Sequence, residues 1–347
     1  MQPKEPSPAL RLTVDSRALV ANWNTLNRLS GAAEAGAAVK ANAYGLGIGK
    51  TVPALWEAGC RDFFVAHWSE AGPVAAHVPA ASVSVLHGPL TEQDAIYARH
   101  LGVKPVINSL AQARRWIDAG GGQCDVMVDT GINRIGLPLT DLGDSLILQL
   151  SIDILHSHLA SADEVSHLNA LQLERWNDAR GQVAHRRASL ANSAGITLGS
   201  AYHGDLTRPG IAIYGGTPCA ALDGKIAQVA RLEAAIIQVR ELKSGDSVGY
   251  NATYVASRQM RVGVVSLGYA DGYFRVWSNA GTMIHQGQAL PVIGRVSMDM
   301  TVIDLSNAPT LAEGDWVEVV YDLPDAAAKT GLSQYELLTG LGRRFAS

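Results

Sequence analysis

Hydrophobic and polar positions give the chain two textures. Up to about residue 230, short runs that are apolar throughout alternate with segments whose apolar residues recur at helical spacing. The apolar runs are "AAVK" (Ala37–Lys40), "FFVAH" (Phe63–His67), "VSVLHG" (Val83–Gly88), "PVIN" (Pro105–Asn108), "DVMVDT" (Asp125–Thr130), "DILHSHLA" (Asp153–Ala160), "RASLANS" (Arg187–Ser193) and "GDLTRPGIAIYG" (Gly204–Gly215). Helical spacing shows between them in "SLAQARRWIDAG" and "ALQLERWNDARGQVA". Strands buried on both faces and separated by helices predict a parallel sheet. About eight such units predict an eight-stranded, TIM-like α/β barrel whose chemistry sits at the C-terminal strand ends. Beyond residue 230, "RLEAAIIQVREL", "MRVGVVSLGYADGY", "ALPVIGRVSMDMTVIDL" and "DWVEVVYDL" are β-rich and divided by Gly, Asn and Pro turns. The expected organisation is therefore a barrel over 10–230 and a mainly antiparallel β domain over 231–347, with residues 1–14 available as an added strand.

Composition narrows the class. The 347-residue chain is 47% hydrophobic and 17% charged, which suits a large packed core rather than disorder. A formal charge of −4 argues against a nucleic-acid surface. The pairs Arg114–Arg115 and Arg343–Arg344 read as solvated helix ends. Cys60, Cys124 and Cys219 are widely spaced and form no CxxC pair, so reduced, mostly buried thiols are expected, and no metal set suggests itself. No secretory h-region and no membrane-length apolar run stand out, so the expected compartment is the cytoplasm.

The stretch "AAVKANAYGLGIGKT" (Ala37–Thr51) holds the first candidate chemistry. A phosphate-binding P-loop would need glycine where Tyr44 stands. A dinucleotide fingerprint would need its third glycine where Lys50 stands. Both nucleotide readings fail, and Gly45–Gly49 reads as a turn into a helix carrying Lys50 in solvent. Lys40 ends an apolar strand, where a barrel places reactive groups. A lysine there is either an ordinary one whose stem snorkels to water or one whose ordinary pKa of about 10.4 has been lowered for use as a base or nucleophile.

"AVKANAYGLG" resembles the lysine motif of the pyridoxal-phosphate-dependent alanine racemases. The likeness continues in order through "VDTGINRIG" (Val128–Gly136), "HSHLASADE" (His156–Glu164), "ANSAG" (Ala191–Gly195), "DLTRPGIAIYG" (Asp205–Gly215), "VGYNATY" (Val248–Tyr254), "LGYADGY" (Leu267–Tyr273) and "GRVSMDM" (Gly294–Met300). That family joins an eight-stranded barrel to a β domain, as the patterning does here. The resemblance implies an isomerase that interconverts L- and D-alanine by two-base proton transfer at Cα and supplies D-alanine for peptidoglycan.

It also implies roles. Lys40 would carry pyridoxal phosphate covalently and work one face of the substrate, with Tyr269 on the other. Tyr44, Asn192, Ser193, Gly210 and Ile211 would hold the cofactor, chiefly at its phosphate; on pattern alone Ser193 would equally cap a helix. Arg208 would face the pyridine nitrogen and His158 would pack on the ring. Arg134 would meet the substrate carboxylate, whose geometry a guanidinium fork matches. Met298 would contact the same carboxylate, beside a structural Asp299. Because Tyr269 lies in the second domain, the resemblance implies a homodimer whose sites are completed by the partner subunit, with neither membrane nor nucleic acid as partner.

Three positions depart from the family pattern. Met127 stands where many members have a carbamylated lysine that orients the arginine, and Asn133 replaces a glycine beside Arg134. Leu46 replaces a common histidine. Alternative readings are a broad-specificity or serine racemase on the same scaffold, a related decarboxylase, and a non-catalytic barrel that binds pyridoxal phosphate. The last predicts no β domain.

Overall fold

The structure is a computed structural model that describes residues 6–342, 344 and 345. It divides into two compact units, one formed by residues 16–227 and the other by the first 15 residues together with 228–347. Of the stretch proposed as an added strand, residues 1–5 lie outside the described residues.

The chain opens on β1 (Leu10–Val14), which pairs antiparallel in the C-terminal unit. The barrel unit then follows. Its strands are β2 (Glu34–Ala35), β3 (Ala37–Ala38), β4 (Phe63–Val65), β5 (Val83–Val85), β6 (Lys104–Ile107), β7 (Gln123–Met127), β8 (Ser151–His156), β9 (Arg187–Ser189) and β10 (Leu206–Thr207). Strands β3 to β9 form a seven-stranded sheet in chain order, every pair parallel. The tenth strand closes it. On one side β10 pairs parallel with β2, and the N–H groups of Gly36 and Ala38 donate to Thr207 O and Pro209 O (both 2.9 Å). On the other, the N–H groups of Asp205 and Arg208 donate to Ala188 O and Ala191 O (both 2.8 Å). Since β2 and β3 are one bent edge, the result is the eight-stranded barrel expected from the alternating pattern.

The strand starts agree with the apolar runs, but the ends come early. "VSVLHG" stops being strand at Val85, and "GDLTRPGIAIYG" yields only Leu206–Thr207 before a 3-10 turn over Ile211–Tyr214. The remaining residues are buried loop at the barrel mouth. The helices follow the 3.6-residue spacing, with Ser109 and Ser166 accepting from N–H groups in the first turns of Leu110–Asp118 and His167–Gln182.

At the other end of the barrel lies a buried ion cluster that the apolar pattern did not reveal. Lys104 Nζ is 2.6 Å from Asp153 Oδ2, 3.8 Å from Asp125 Oδ1 and 3.9 Å from Asp62 Oδ1. Arg187 forks onto Asp62 at 2.7 and 2.8 Å and reaches Asp153 at 3.1 Å. Lys104 and Arg187 begin their strands and Asp62 precedes β4, so the cluster fills the end opposite the C-terminal mouth.

The second unit contains β11 (Ala230–Leu242), β12 (Ser247–Val248), β13 (Tyr254–Val255), β14 (Met260–Val265), β15 (Thr282–His285), β16 (Gln288–Ile293), β17 (Thr301–Asp304) and β18 (Trp316–Val319). Its main sheet runs β1-β11-β14-β17-β16-β15-β18, and β18 pairs again with β11, so the ring closes. Every pairing is antiparallel. The register shift between Ile236 and Gln238 lets one long strand serve two sets of neighbours.

One reading of charged pairs is corrected here. Arg115 Nη1 donates to Pro89 O at 2.7 Å, and Arg344 grips Asp271 with Nε and Nη2 (2.7 and 2.9 Å) and Asp299 with Nη1 (2.7 Å). Both arginines find acceptors in the fold, so neither is a simple solvated helix end; Arg343 lies outside the described residues.

Candidate functional site

Lys40 is the second residue past β3, and the chain that follows it winds the wrong way. Ala41, Asn42, Ala43 and Tyr44 all have positive φ (53, 54, 54 and 55°). Left-handed backbone costs an L-residue about 1–2 kcal/mol, so four in succession need support. It comes from several directions. Gly45 N–H donates to Ala41 O (2.8 Å), Gly47 N–H to Asn42 O (2.9 Å), and Asn42 Oδ1 accepts from Ile48 N–H (3.0 Å). Glu70 Oε1 accepts from Ala41 N–H at 2.5 Å. The turn starts just after Lys40 and ends on Tyr44, and the helix Ile48–Glu57 that follows carries an exposed Lys50.

Lys40 is half-buried. Burial lowers the amine's pKa, the Arg134 guanidinium lowers it further, and Glu70 works the other way. Arg134 itself is exposed on a loop shaped by Asp129, whose Oδ1 accepts from the N–H groups of Gly131 (2.8 Å), Ile132 (3.0 Å) and Asn133 (3.2 Å). Asn133 takes a left-handed conformation there (φ 54°). Met127 is buried core at the end of β7.

A set of polar donors gathers around Gly210. Ser193 Oγ accepts from the N–H groups of Gly210 (2.9 Å) and Ala212 (3.4 Å), so it braces another loop and caps no helix of its own. Tyr44 stacks on Tyr214 with ring centroids 4.7 Å apart, and Tyr214 Oη donates to Ala38 O at 2.8 Å. A Cβ at Gly210 would stand 2.9 Å from Tyr44 Cζ and closer still to its Oη. Only glycine leaves this cradle open. Ile211 starts the adjacent 3-10 turn, and Asn192 Oδ1 shapes the neighbouring loop by accepting from Gly195 N–H at 2.8 Å.

Arg208 is buried (7% exposed), which rules out the surface salt bridge that an isolated arginine would suggest. Its Nη1 donates to Ser189 O (2.7 Å) and to Ser189 Oγ, and its Nη2 to Ser157 O. Burial lowers its pKa to about 10, against a smaller opposing pull from Asp125. His158 is pushed down to about 3, first by burial and then by Arg208, Arg134 and Lys40, so it is neutral. Gln172 buttresses it: Nε2 donates to His158 O (2.9 Å) and Thr130 Oγ1 (3.1 Å), while Oε1 accepts from Ala160 N–H (2.8 Å).

In the second unit, Tyr269 and Met298 come together. Tyr269 N–H donates to Ser297 O and Ala270 N–H to Met298 O, both at 3.0 Å. Arg275 lies over the Tyr269 ring at 5.2 Å. Asp271, locked by Arg344, accepts from Gly268 N–H (3.0 Å) and fixes the turn that presents Tyr269. Met298 is exposed and Asp299 pairs with Arg344.

Sequence reasoning missed Glu70, Gln172, Asp129 and Arg344. For Glu70 a signal existed: "HWSE" has the spacing of a helix-capping box. Among the described residues no helix is long and apolar enough to cross a membrane, and no group of three or more His, Cys, Asp or Glu is placed to hold a metal.

Comparison with known proteins gives this arrangement its relatives. The profile of the alanine racemase N-terminal domain matches residues 14–218, and that of the alanine racemase C-terminal domain matches 229–347. A chain carrying both does not fit the reading of a lone cofactor-binding barrel. The alanine racemase of Acidiphilium cryptum is 40% identical, the match covering 96% of this chain and 97% of that one. The biosynthetic alanine racemase of Agrobacterium fabrum is 39% identical over 97% of this chain and 92% of its own. The crystal structure of alanine racemase from Bartonella henselae with covalently bound pyridoxal phosphate superposes with a TM-score of 0.89 at 35% identity, covering 98% of this chain and 99% of that one. The chain belongs to the alanine racemase family.

Proposed function

We propose that the protein is a pyridoxal-phosphate-dependent isomerase that interconverts L- and D-alanine and so supplies D-alanine for peptidoglycan. The observation that carries this reading is the setting of Lys40. An amine with lowered proton affinity stands at the same C-terminal strand ends as the polar groups gathered around Gly210 and the buried Arg208.

The donor set suits the cofactor. Tyr44 Oη, Ser193 Oγ and the N–H groups of Gly210 and Ile211 are the hydrogen-bonding groups that a phosphate needs. Arg208 would face the ring nitrogen, and neutral His158 would pack on the ring. When bound, pyridoxal phosphate supplies a sink for the electron pair left at Cα.

The chain's own groups do the rest. Lys40 is the residue that would hold the cofactor, and its Nζ moves the Cα proton on one face; a lowered pKa raises the neutral fraction that a base requires. Tyr269 Oη moves the proton on the opposite face. Arg208 has only donors, so beside the ring nitrogen it would favour the unprotonated form and restrain charge build-up there. Arg134 binds the substrate carboxylate, and the Met298 backbone meets the same group. The C-terminal unit of a second copy brings Tyr269 and Met298 to Lys40, making a homodimer with two composite sites.

The test is proton exchange in deuterated water. The wild type should incorporate deuterium at Cα of both alanine enantiomers, and Lys40→Ala should lose exchange from both. Tyr269→Phe should block exchange mainly from L-alanine. Protein that binds the cofactor yet labels neither enantiomer would overturn the reading.

A further inference from the structure

Glu70 stands apart from the other two carboxylates that close the capping boxes of α-helices. In the box that opens helix Glu92–Leu101, Asp94 Oδ2 accepts from the N–H groups of Leu90 and Thr91, both at 2.9 Å. In the box that opens Gln334–Thr339, Glu336 Oε2 accepts from Ser333 N–H at 2.9 Å. Each of these bonds stays at its own helix start. Glu70 divides its two oxygens. Oε2 does the local task, accepting from Ala66 N–H (2.8 Å) and His67 N–H (3.1 Å) at the start of helix Trp68–Ala75. Oε1 reaches across to Ala41 N–H at 2.5 Å, the first peptide after Lys40 and the first of the four left-handed residues.

We propose that Glu70 is a positioning residue for Lys40, fixing the left-handed turn that follows the lysine and adding a negative charge to its surroundings. The inference rests on the assignment of Lys40 as the cofactor lysine. One side chain thus couples the geometry of the turn to the charge state of the amine. The charge matters because the other ionisable groups that act on Lys40 are cationic or kept neutral. Arg134 comes from the loop after β7, His158 from the loop after β8, and His87 from the loop after β5, its ring 4.3 Å from that of His67. Burial and Arg134 lower the amine's pKa and Glu70 opposes them. Removing the Glu70 charge therefore lowers the pKa further and moves the amine's titration to lower pH.

The test uses the full chain, stripped of cofactor and resupplied with pyridoxal phosphate as the probe. Covalent capture is trapped by borohydride reduction and counted on the Lys40 peptide by mass, as a rate against pH. Glu70→Gln removes the charge, and its midpoint should move to lower pH than that of the wild type. Glu70→Asp keeps the charge on a stem too short to cap the helix and reach Ala41 together. Its midpoint should stay near that of the wild type while capture at high pH slows roughly tenfold or more, the loss of one charge-assisted bond. Asp94→Asn opens an equivalent box elsewhere and controls for helix capping alone. A Glu70→Gln midpoint equal to the wild type, or Glu70 variants that change capture no more than Asp94→Asn, would overturn the proposal. Capture that persists in Lys40→Ala would instead remove the assignment on which it rests.

Discussion

Gly210 shows how a single missing atom keeps the site open. Tyr44 cannot step aside to make room, because it is stacked on Tyr214 and Tyr214 is itself tied to the β3 edge through Ala38 O. A methyl group added at Gly210 would therefore displace the Tyr44 hydroxyl or the 3-10 turn that begins at Ile211. Forced repacking of this kind costs about 1–3 kcal/mol. Gly210→Ala should weaken pyridoxal phosphate binding by roughly tenfold or more, measured by titrating cofactor-free protein and following visible absorbance. Gly49→Ala is the matched control: a Cβ there meets nothing within 4 Å, and the residue lies inside helix Ile48–Glu57. It should leave affinity unchanged. Equal affinities for the two variants would show that the cradle around Gly210 does not hold the phosphate.

At the scale of elements, the barrel strands were legible from apolar runs and the helices from their spacing, because burial on both faces and burial on one stripe leave different patterns. The strand ends were not. Residues at the barrel mouth are as apolar as the strands that lead to them, so composition does not mark where pairing stops. Apart from Asn42, no residue in "KANAY" favours positive φ; the left-handed turn is held by Glu70 from outside and by the Asn42 side chain and the Gly45 peptide from within. Lys40, Tyr44, Ser193 and Arg208 could be singled out by motif; of their supports only Glu70 left a signal, the capping-box spacing of "HWSE", and that signal does not point to Lys40. Gln172 and Asp129 act through backbone groups that no motif exposes. The Asp129 loop makes that distinction testable. Its carboxylate gathers three N–H groups just ahead of Arg134, and Asp129→Ala would free that loop. The KM for alanine should rise by roughly tenfold while cofactor affinity stays within about twofold. A variant whose cofactor affinity falls as far as its KM rises would show that the loop supports the whole mouth and not Arg134 in particular.

At the scale of the whole molecule, the barrel separates chemistry from stability along its axis. The C-terminal mouth carries Lys40, Arg208 and Gly210, and the opposite end is closed by the Lys104, Arg187, Asp62, Asp125 and Asp153 cluster. Burial alone would raise the Asp153 pKa, but Lys104 and Arg187 outweigh it and bring it to about 2; Asp125 is lowered by Lys104 and His156 in the same way. His156, whose Nε2 lies 3.3 Å from Asp125 Oδ2, is lowered to about 4, by burial first and then by Arg208 and Lys104 against the pull of Asp125. These shifts act in two separate pH windows. A histidine with a folded pKa below its unfolded value near 6.5 is most stabilising above that value, and the contribution is lost as pH falls towards about 4. A carboxylate lowered from near 3.9 keeps its contribution above that value and loses it towards pH 2, about 2 kcal/mol for Asp153. Urea unfolding should therefore show stability falling between about pH 6.5 and 4 and again between about 4 and 2. His156→Gln should make the first fall shallower without abolishing it, because His158, pushed down to about 3, titrates through the same window, and it should also weaken the second, because His156 helps to lower Asp125. Lys104→Met leaves buried carboxylates short of a cation, and at pH 7 it should cost about 3–5 kcal/mol. That deficit should shrink near pH 2.5, where the carboxylates of the variant take up protons. A Lys104→Met deficit that is the same at pH 7 and pH 2.5 would mean that the lysine contributes packing there and no charge pairing.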